Sequence, residues 1–289
     1  MADTIALEAP RDKGVGLVLA SQTSVHSGAA VATLLFPLAG PAGVVAVRLV
    51  IGAALLLAAC RPKLRGYRGR DWALIAGFGF VLALMNLLYY LAIERMPIGP
   101  VVTLEVLGPL TLSVLAGKGA ARWLWALLAL AGVALLGFGG LHGDGFDLIA
   151  AGLALAAGAC WAGYILFSAR TGSRFPKQDG IALALTVSAL VALPLGVFGA
   201  GAALLDPVIL GLGAAVAVLS SVLPYTLELA ALRRLPTGTF AVLMSLGPAI
   251  AALTAFAIAG QALSVAEIVA IVLVVAASAG AVRSRAAAG

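Results

Sequence analysis

His26, Arg48, Glu105 and Glu228 lie inside long apolar runs, with Asn86 as a polar companion, and they are the residues with the most chemistry to offer. An ionisable group in hydrocarbon costs roughly 2.5–3.5 kcal/mol on insertion scales, so each needs a partner or a task. On helices rising 1.5 Å per residue, Arg48, Asn86 and Glu105 fall about 10 Å below the outer ends of their segments, and His26 falls deeper. Matched depths allow contact. Arg48 and Glu105 are expected to form a structural ion pair between two helices, or to place Glu105 in a site for substrate or proton. The two readings are compatible if the pair opens while the protein works.

Polar stripes at helical spacing extend the set. Gln22, His26 and Thr33, flanked by Thr23 and Ser27, would face protein or water rather than lipid. The adjacent small residues Ser27 to Ala30 would also suit close helix packing. His26 is open to two roles, a proton relay or a simple hydrogen bond to a neighbouring helix. Asn86 is followed by Tyr89 and Tyr90, while Trp161, Tyr164 and Ser168 share one face, as do Ser221, Tyr225 and Glu228. Trp161 lies too deep for an interfacial belt, which leaves core packing or a cavity wall. Glu228, near the end of its segment, has Arg233 and Arg234 within reach as partners.

Membrane helices must position these residues. The chain has 289 residues, is 63% hydrophobic and only 10% charged, with mean hydropathy +1.13; soluble domains are about 25% charged. Its net charge of +6 comes from short basic clusters between apolar runs, without aromatic interleaving, so no nucleic-acid partner is expected. Runs of roughly 20 apolar residues predict an all-α membrane protein with ten spans. They lie near 14–36, 42–60, 72–93, 98–116, 122–140, 146–168, 181–199, 208–231, 237–258 and 265–282. Trp72, Trp123 and Trp125 open spans, as interfacial anchors do. Of the 18 Lys and Arg residues, 16 fall on one side of the alternating connections, Arg95 falls on the other and Arg48 lies within a span. The positive-inside rule then puts both termini in the cytoplasm. The mixed charge before residue 14 and the long run after it read as a retained first span, not a cleaved signal.

Helix breakers repeat. Residues 97–109 read PIGPVVTLEVLGP and residues 236–248 read PTGTFAVLMSLGP, so Pro97, Gly99, Gly108 and Pro109 recur at one constant offset as Pro236, Gly238, Gly247 and Pro248. This is the mark of an internal duplication. It maps a first five-helix repeat (14–140) onto a second (146–282), with cytoplasmic tails at 1–13 and 283–289. An odd number of spans per half gives the halves opposite orientations, an inverted repeat suited to alternating access. Gly99, Gly108, Pro109, Gly238, Gly247 and Pro248 are expected hinges where broken helices line a cavity, with kinks relieved by packing as the alternative.

Other chemistry is disfavoured. Cys60 and Cys160 have neither pairing nor metal spacing. The chain has no HExxH, GxSxG or acid-rich metal cluster, so neither an intramembrane enzyme nor a bound metal or cofactor is expected. A passive channel fits repeated broken helices less well than a gated carrier.

Several blocks carry a family likeness: SVHSGAA (24–30), GVVAVRL (43–49), MNLLYYLAI (85–93), the pattern around Glu105, GACWAGYIL (158–166) and LPYTLELAALRRLPTGTFAVLMS (223–245). Over nearly the whole chain they resemble the inner-membrane threonine/homoserine exporters of the EamA-type drug/metabolite transporter superfamily. The resemblance implies ten helices in two inverted halves, cytoplasmic termini, a central cavity and export of small or neutral amino acids. The cavity positions it implies are Gln22, His26, Asn86, Tyr90, Glu105, Trp161, Tyr164, Tyr225, Glu228 and Met244. It implies a lipid bilayer and an amino acid as partners, leaves open a coupled proton, and suits a monomer or weak dimer. Two positions depart from the relatives: Gly247 and Gln261 stand where those usually carry Glu. Both departures remove an acid from the second half, which puts proton coupling and the threonine analogy in doubt. Drugs or other metabolites are the alternative cargo.

Overall fold

The computed structural model describes residues 9–116, 121–140, 147–176, 178–232, 234–235, 240 and 243–287. Its helices are α1 (Ala9–Thr33), α2 (Phe36–Cys60), α3 (Gly69–Arg95), α4 (Ile98–Glu105), α5 (Leu107–Ala116) and α6 (Ala121–Gly140). There follow α7 (Leu148–Arg174), α8 (Asp179–Ala200), α9 (Pro207–Ala217), α10 (Leu223–Leu232), α11 (Gly247–Ala259) and α12 (Val265–Ala287). A wide π turn, Val218–Val222, joins α9 to α10. With α4–α5 and α9–α10 each taken as one interrupted helix, the described residues give ten helices. Five stretches are long and apolar enough to cross a membrane by themselves: Phe36–Cys60, Gly69–Arg95, Leu148–Arg174, Asp179–Leu205 and Pro207–Glu228.

Two boundaries differ from the apolar pattern. α1 is already helical at Ala9, the first described residue, ahead of the expected 14. α2 starts at Phe36 instead of 42 because the chain turns helical early and then kinks. Gly40 breaks the helix at φ 62°, ψ 167°, just before Pro41, a conformation that glycine adopts without a Cβ penalty.

The usual distribution of polarity is reversed. Large apolar side chains such as Phe198 (89% exposed) and Leu130 cover the outside, while Ser21, Gln22, Ser24, His26 and Asn86 are buried. An apolar shell of this extent would associate in water and matches a lipid environment.

Neighbouring helices fix the interior. α2 packs on α8, α3 on α7 and α8, α6 on α12, α1 on α10 and α11, and α4 on both α7 and α11. The antiparallel pair α3–α7 is clasped at both ends. Arg95 meets Asp147 at 2.9 Å, and Arg174 meets Asp71 at 2.7 Å. Asp147 also caps α7 by accepting from the N–H groups of Ile149 and Ala150, so one carboxylate serves both helices.

Candidate functional site

A cavity of about 200 Å³ opens where α1, α2, α3, α4, α7, α10 and α11 converge. α1 supplies Gln22, Val25, His26 and Ala29, the i, i+3, i+4, i+7 face of one helix. α3 adds Met85, Asn86 and Tyr89, and α7 adds Trp161 and Tyr164. Arg48 brings a guanidinium to the wall, and Glu105 and Glu228 bring carboxyl groups.

Helix prolines explain how several of these side chains are held. Proline has no N–H to give to the carbonyl four residues before it. Pro224 thus frees the carbonyl of Ser220, which accepts from Arg48 Nη2 at 3.3 Å. Pro248 frees the carbonyl of Met244, which accepts from Gln22 Nε2 at 3.0 Å. Pro109 frees the carbonyl of Glu105, and Gly158 of α7 fits against it so closely that a methyl group at 158 would collide with that oxygen. Each break leaves a buried acceptor that needs a partner. In two of the three, a cavity side chain provides it. Ser24 Oγ further anchors the π turn by donating to the Leu219 carbonyl at 2.6 Å.

Arg48 and Glu105 both reach the cavity, but the expected ion pair between them does not form. The ion pairs among the described residues are Arg95–Asp147 and Arg174–Asp71. Arg48 instead donates from Nη1 to Tyr90 Oη at 3.2 Å and lies 5.5 Å from the Tyr90 ring centre. Tyr90 is therefore behind the wall: it is fully buried against Phe36 and supports Arg48, and Tyr89 takes the lining position. Glu228 is not paired with Arg234, which donates to the Ala230 carbonyl at 3.1 Å. It accepts from Ser21 Oγ at 2.8 Å and faces the cavity. Arg233, Gly238 and the Tyr225 side chain lie outside the described residues.

The hinge positions diverge. Gly247 and Pro248 line the cavity. Gly108 is wedged against the backbone of Gly158, where a methyl group would collide. Gly99 is buried against Ala252. Beside it, the N–H of Ile98 donates to Gln261 Oε1 at 3.0 Å, which ties the start of α4 to the connection before α12.

Lining residues pair at the interval of the sequence repeat. Gln22 and Trp161, Val25 and Tyr164, Met85 and Pro224, Tyr89 and Glu228, and Glu105 and Met244 are each separated by the same offset as Pro97 and Pro236, and all ten line the cavity.

Comparison with known proteins gives this site its context. Residues 148–283 match the EamA-like transporter family. The threonine/homoserine exporter RhtA of Salmonella typhimurium is 41% identical over 91% of this chain and 89% of its own. RhtA of Escherichia coli K12 is 39% identical over the same shares. The chain belongs to the EamA-like transporter family. It is a multi-pass membrane protein of a transporter family, not of an enzyme family. A crystal structure with 22% identity aligns over 94% of this chain and 98% of its own at TM-score 0.52, a likeness of fold.

Val25, Met85, Tyr89 and Ser220 were not singled out from the sequence as cavity residues of this EamA-like transporter. Two signals point to three of them. Val25 shares the helical face of Gln22, and Tyr89 and Met85 are the repeat counterparts of Glu228 and Pro224. Ser220 carries no such mark, because its carbonyl and not its side chain holds Arg48.

Proposed function

We propose that this protein exports small amino acids with a polar side chain, threonine or homoserine among them, across a bacterial inner membrane. The carrying observation is a cavity that holds a guanidinium, Arg48, and a carboxyl group, Glu105, left unpaired with each other. A zwitterion satisfies both. Its carboxylate takes N–H donors that Arg48 has to spare beyond its two hydrogen bonds. Its ammonium takes Glu105 and the faces of Tyr89, Trp161 and Tyr164. A buried charge without a counter-charge is costly, so the substrate completes the site. A volume of about 200 Å³ also falls below the roughly 300–1,000 Å³ of drug-sized pockets. The names of the curated relatives agree with this reading.

The cycle is alternating access by two inverted five-helix repeats, with both termini in the cytoplasm. The contact pattern supports this. Exchanging the first five helices with the last five maps α2–α8 and α6–α12 onto themselves, α3–α7 onto α10–α1, and α4–α7 onto α11–α1. The five lining pairs related by the repeat offset suggest a pseudo-two-fold axis through the cavity. Such an axis puts the substrate where both halves rock about it.

The test is uptake of radiolabelled threonine, homoserine, alanine and phenylalanine into proteoliposomes, with and without a pH gradient. Saturable uptake competed by unlabelled amino acids is expected, and the gradient decides proton coupling. The aromatic part of the wall favours a second reading, a bulkier apolar metabolite or drug. No amino-acid uptake by folded, inserted protein would hand the site to that cargo.

A further inference from the structure

The two glycine–proline breaks begin as copies of one motif, yet only one of them opens on the cavity. At Gly108 the backbone of α7 fills the space beside the missing side chain. At Gly247 that space is free of neighbours except two polar heads: a Cβ there would lie 3.6 Å from both Gln22 Nε2 and His26 Nε2. Gln22 and His26 are 5% and 6% exposed. Gln22 is locked by its amide N–H, which donates to the Met244 carbonyl at 3.0 Å and lies 3.3 Å from Met244 Sδ. That leaves its Oε1 as an acceptor. His26 keeps a buried ring nitrogen, Nδ1, with no hydrogen-bond partner. So this corner sets two hydrogen-bonding heads, Gln22 Nε2 and His26 Nε2, beside a gap, while Arg48, Glu105 and Glu228 stand elsewhere on the wall.

We infer that Gly247, Gln22 and His26 form the subsite for the substrate's side chain and read its hydroxyl group. The inference rests on the amino-acid reading above and adds to it a specificity determinant. A hydroxyl is donor and acceptor at once, which matches an amide and an imidazole; an ammonium or carboxylate belongs with Arg48 and the two glutamates. Gly247 supplies the room. Because no side chain projects there, the heads of Gln22 and His26 stay uncovered on the cavity wall, within reach of a hydroxyl on the substrate's side chain. A site built on buried hydrogen-bonding groups rejects an isostere lacking the hydroxyl far more strongly than an apolar pocket would, since its own groups are left unpaired.

The experiment is competition against threonine uptake in proteoliposomes by homoserine, valine and alanine, for the wild type, Gln22→Leu, His26→Leu and Gly247→Ala. Valine has the shape of threonine without the hydroxyl. In the wild type it should compete at least about tenfold more weakly than threonine. Gln22→Leu and His26→Leu should shrink that ratio to about threefold or less. Gly247→Ala places its methyl group at ordinary contact distance from both nitrogens, so it folds; it should weaken threonine and homoserine at least about fivefold and leave alanine within about twofold. Thermal shifts of detergent-solubilised variants with each amino acid read the same preferences independently of turnover. Wild-type protein that transports amino acids but takes valine as well as threonine overturns the subsite and leaves the transport reading standing. So does a threonine/valine ratio that none of the three substitutions moves. Failure of the wild type to move any amino acid removes both.

Discussion

In the proposed function, Arg48 and Glu105 take the two ends of a zwitterion. Glu105→Gln keeps the shape and hydrogen-bonding capacity of the side chain and removes the charge. Threonine uptake by that variant should fall at least about tenfold, equivalent to roughly 1.4 kcal/mol, with protein yield in the membrane unchanged. Uptake at the wild-type rate would take Glu105 out of the site. Gly158 has a different effect at the same place. Its Cα sits against the Glu105 carbonyl, and an added methyl group must displace α4 or α7. Gly158→Ala should therefore lower stability by about 1–3 kcal/mol, the usual cost of overpacking, and shift Glu105 as well. A melting curve in detergent that matches the wild type would show that the two helices have room to spare.

At the scale of elements, broken helices and clasped helices divide the work. Pro224 keeps the Ser220 carbonyl free for Arg48. Pro224→Ala restores an N–H that the helix can use, so the carbonyl returns to the helix and Arg48 loses a partner. Threonine uptake should drop while thermal stability rises or holds, a split that a purely structural proline would not produce. The clasp between α3 and α7 carries a pH dependence of its own. The N–H of Ala150, and with it Arg95, holds the Asp147 carboxyl below the usual range. A depressed carboxyl adds stability that is complete above its unfolded pKa, near 4. That stability is lost as pH falls through the lower, folded value. The melting temperature should thus decline as the pH is taken below about 4, and Asp147→Asn should flatten that part of the curve.

For the whole molecule, the inverted repeat makes a topological prediction. Ser173 and Ser264 are both exposed, Ser173 at the end of α7 and Ser264 just before α12. Opposed orientations place them on opposite faces of the membrane. In a background with Cys60 and Cys160 replaced by serine, Ser264→Cys should react with an impermeant maleimide in intact cells. Ser173→Cys should react only after permeabilisation. Labelling of both from one side would break the proposed topology. The hydrogen bond from the Ile98 N–H to Gln261 Oε1 joins the start of α4 to the connection before α12, on the side that the proposed topology puts opposite the basic connections.

Hydropathy and the placement of charge determined that the chain is a membrane protein of ten helices, because lipid tolerates no unpaired backbone and few charges. Glu105 stood out in the sequence as an ionisable group inside an apolar run, and Met244 as a position that the family resemblance implied. Gln22, His26, Asn86, Trp161 and Tyr164 were legible for a similar reason: polar or aromatic side chains far from a membrane surface must face inward. Only the tertiary structure decided which charges meet. Arg48 and Glu105 have matched depths in the sequence, but side-chain direction and the carbonyl freed by Pro224 turn Arg48 toward Tyr90 and Ser220. Nor does the sequence separate Tyr89 from Tyr90, where one residue is about 100° of helical rotation and moves a ring from the wall to the core. The two glycine–proline motifs look alike in sequence as well. Gly108 became a packing contact and Gly247 an open corner because α7 brings a glycine to the first break, whereas α1 brings Gln22 and His26 to the second.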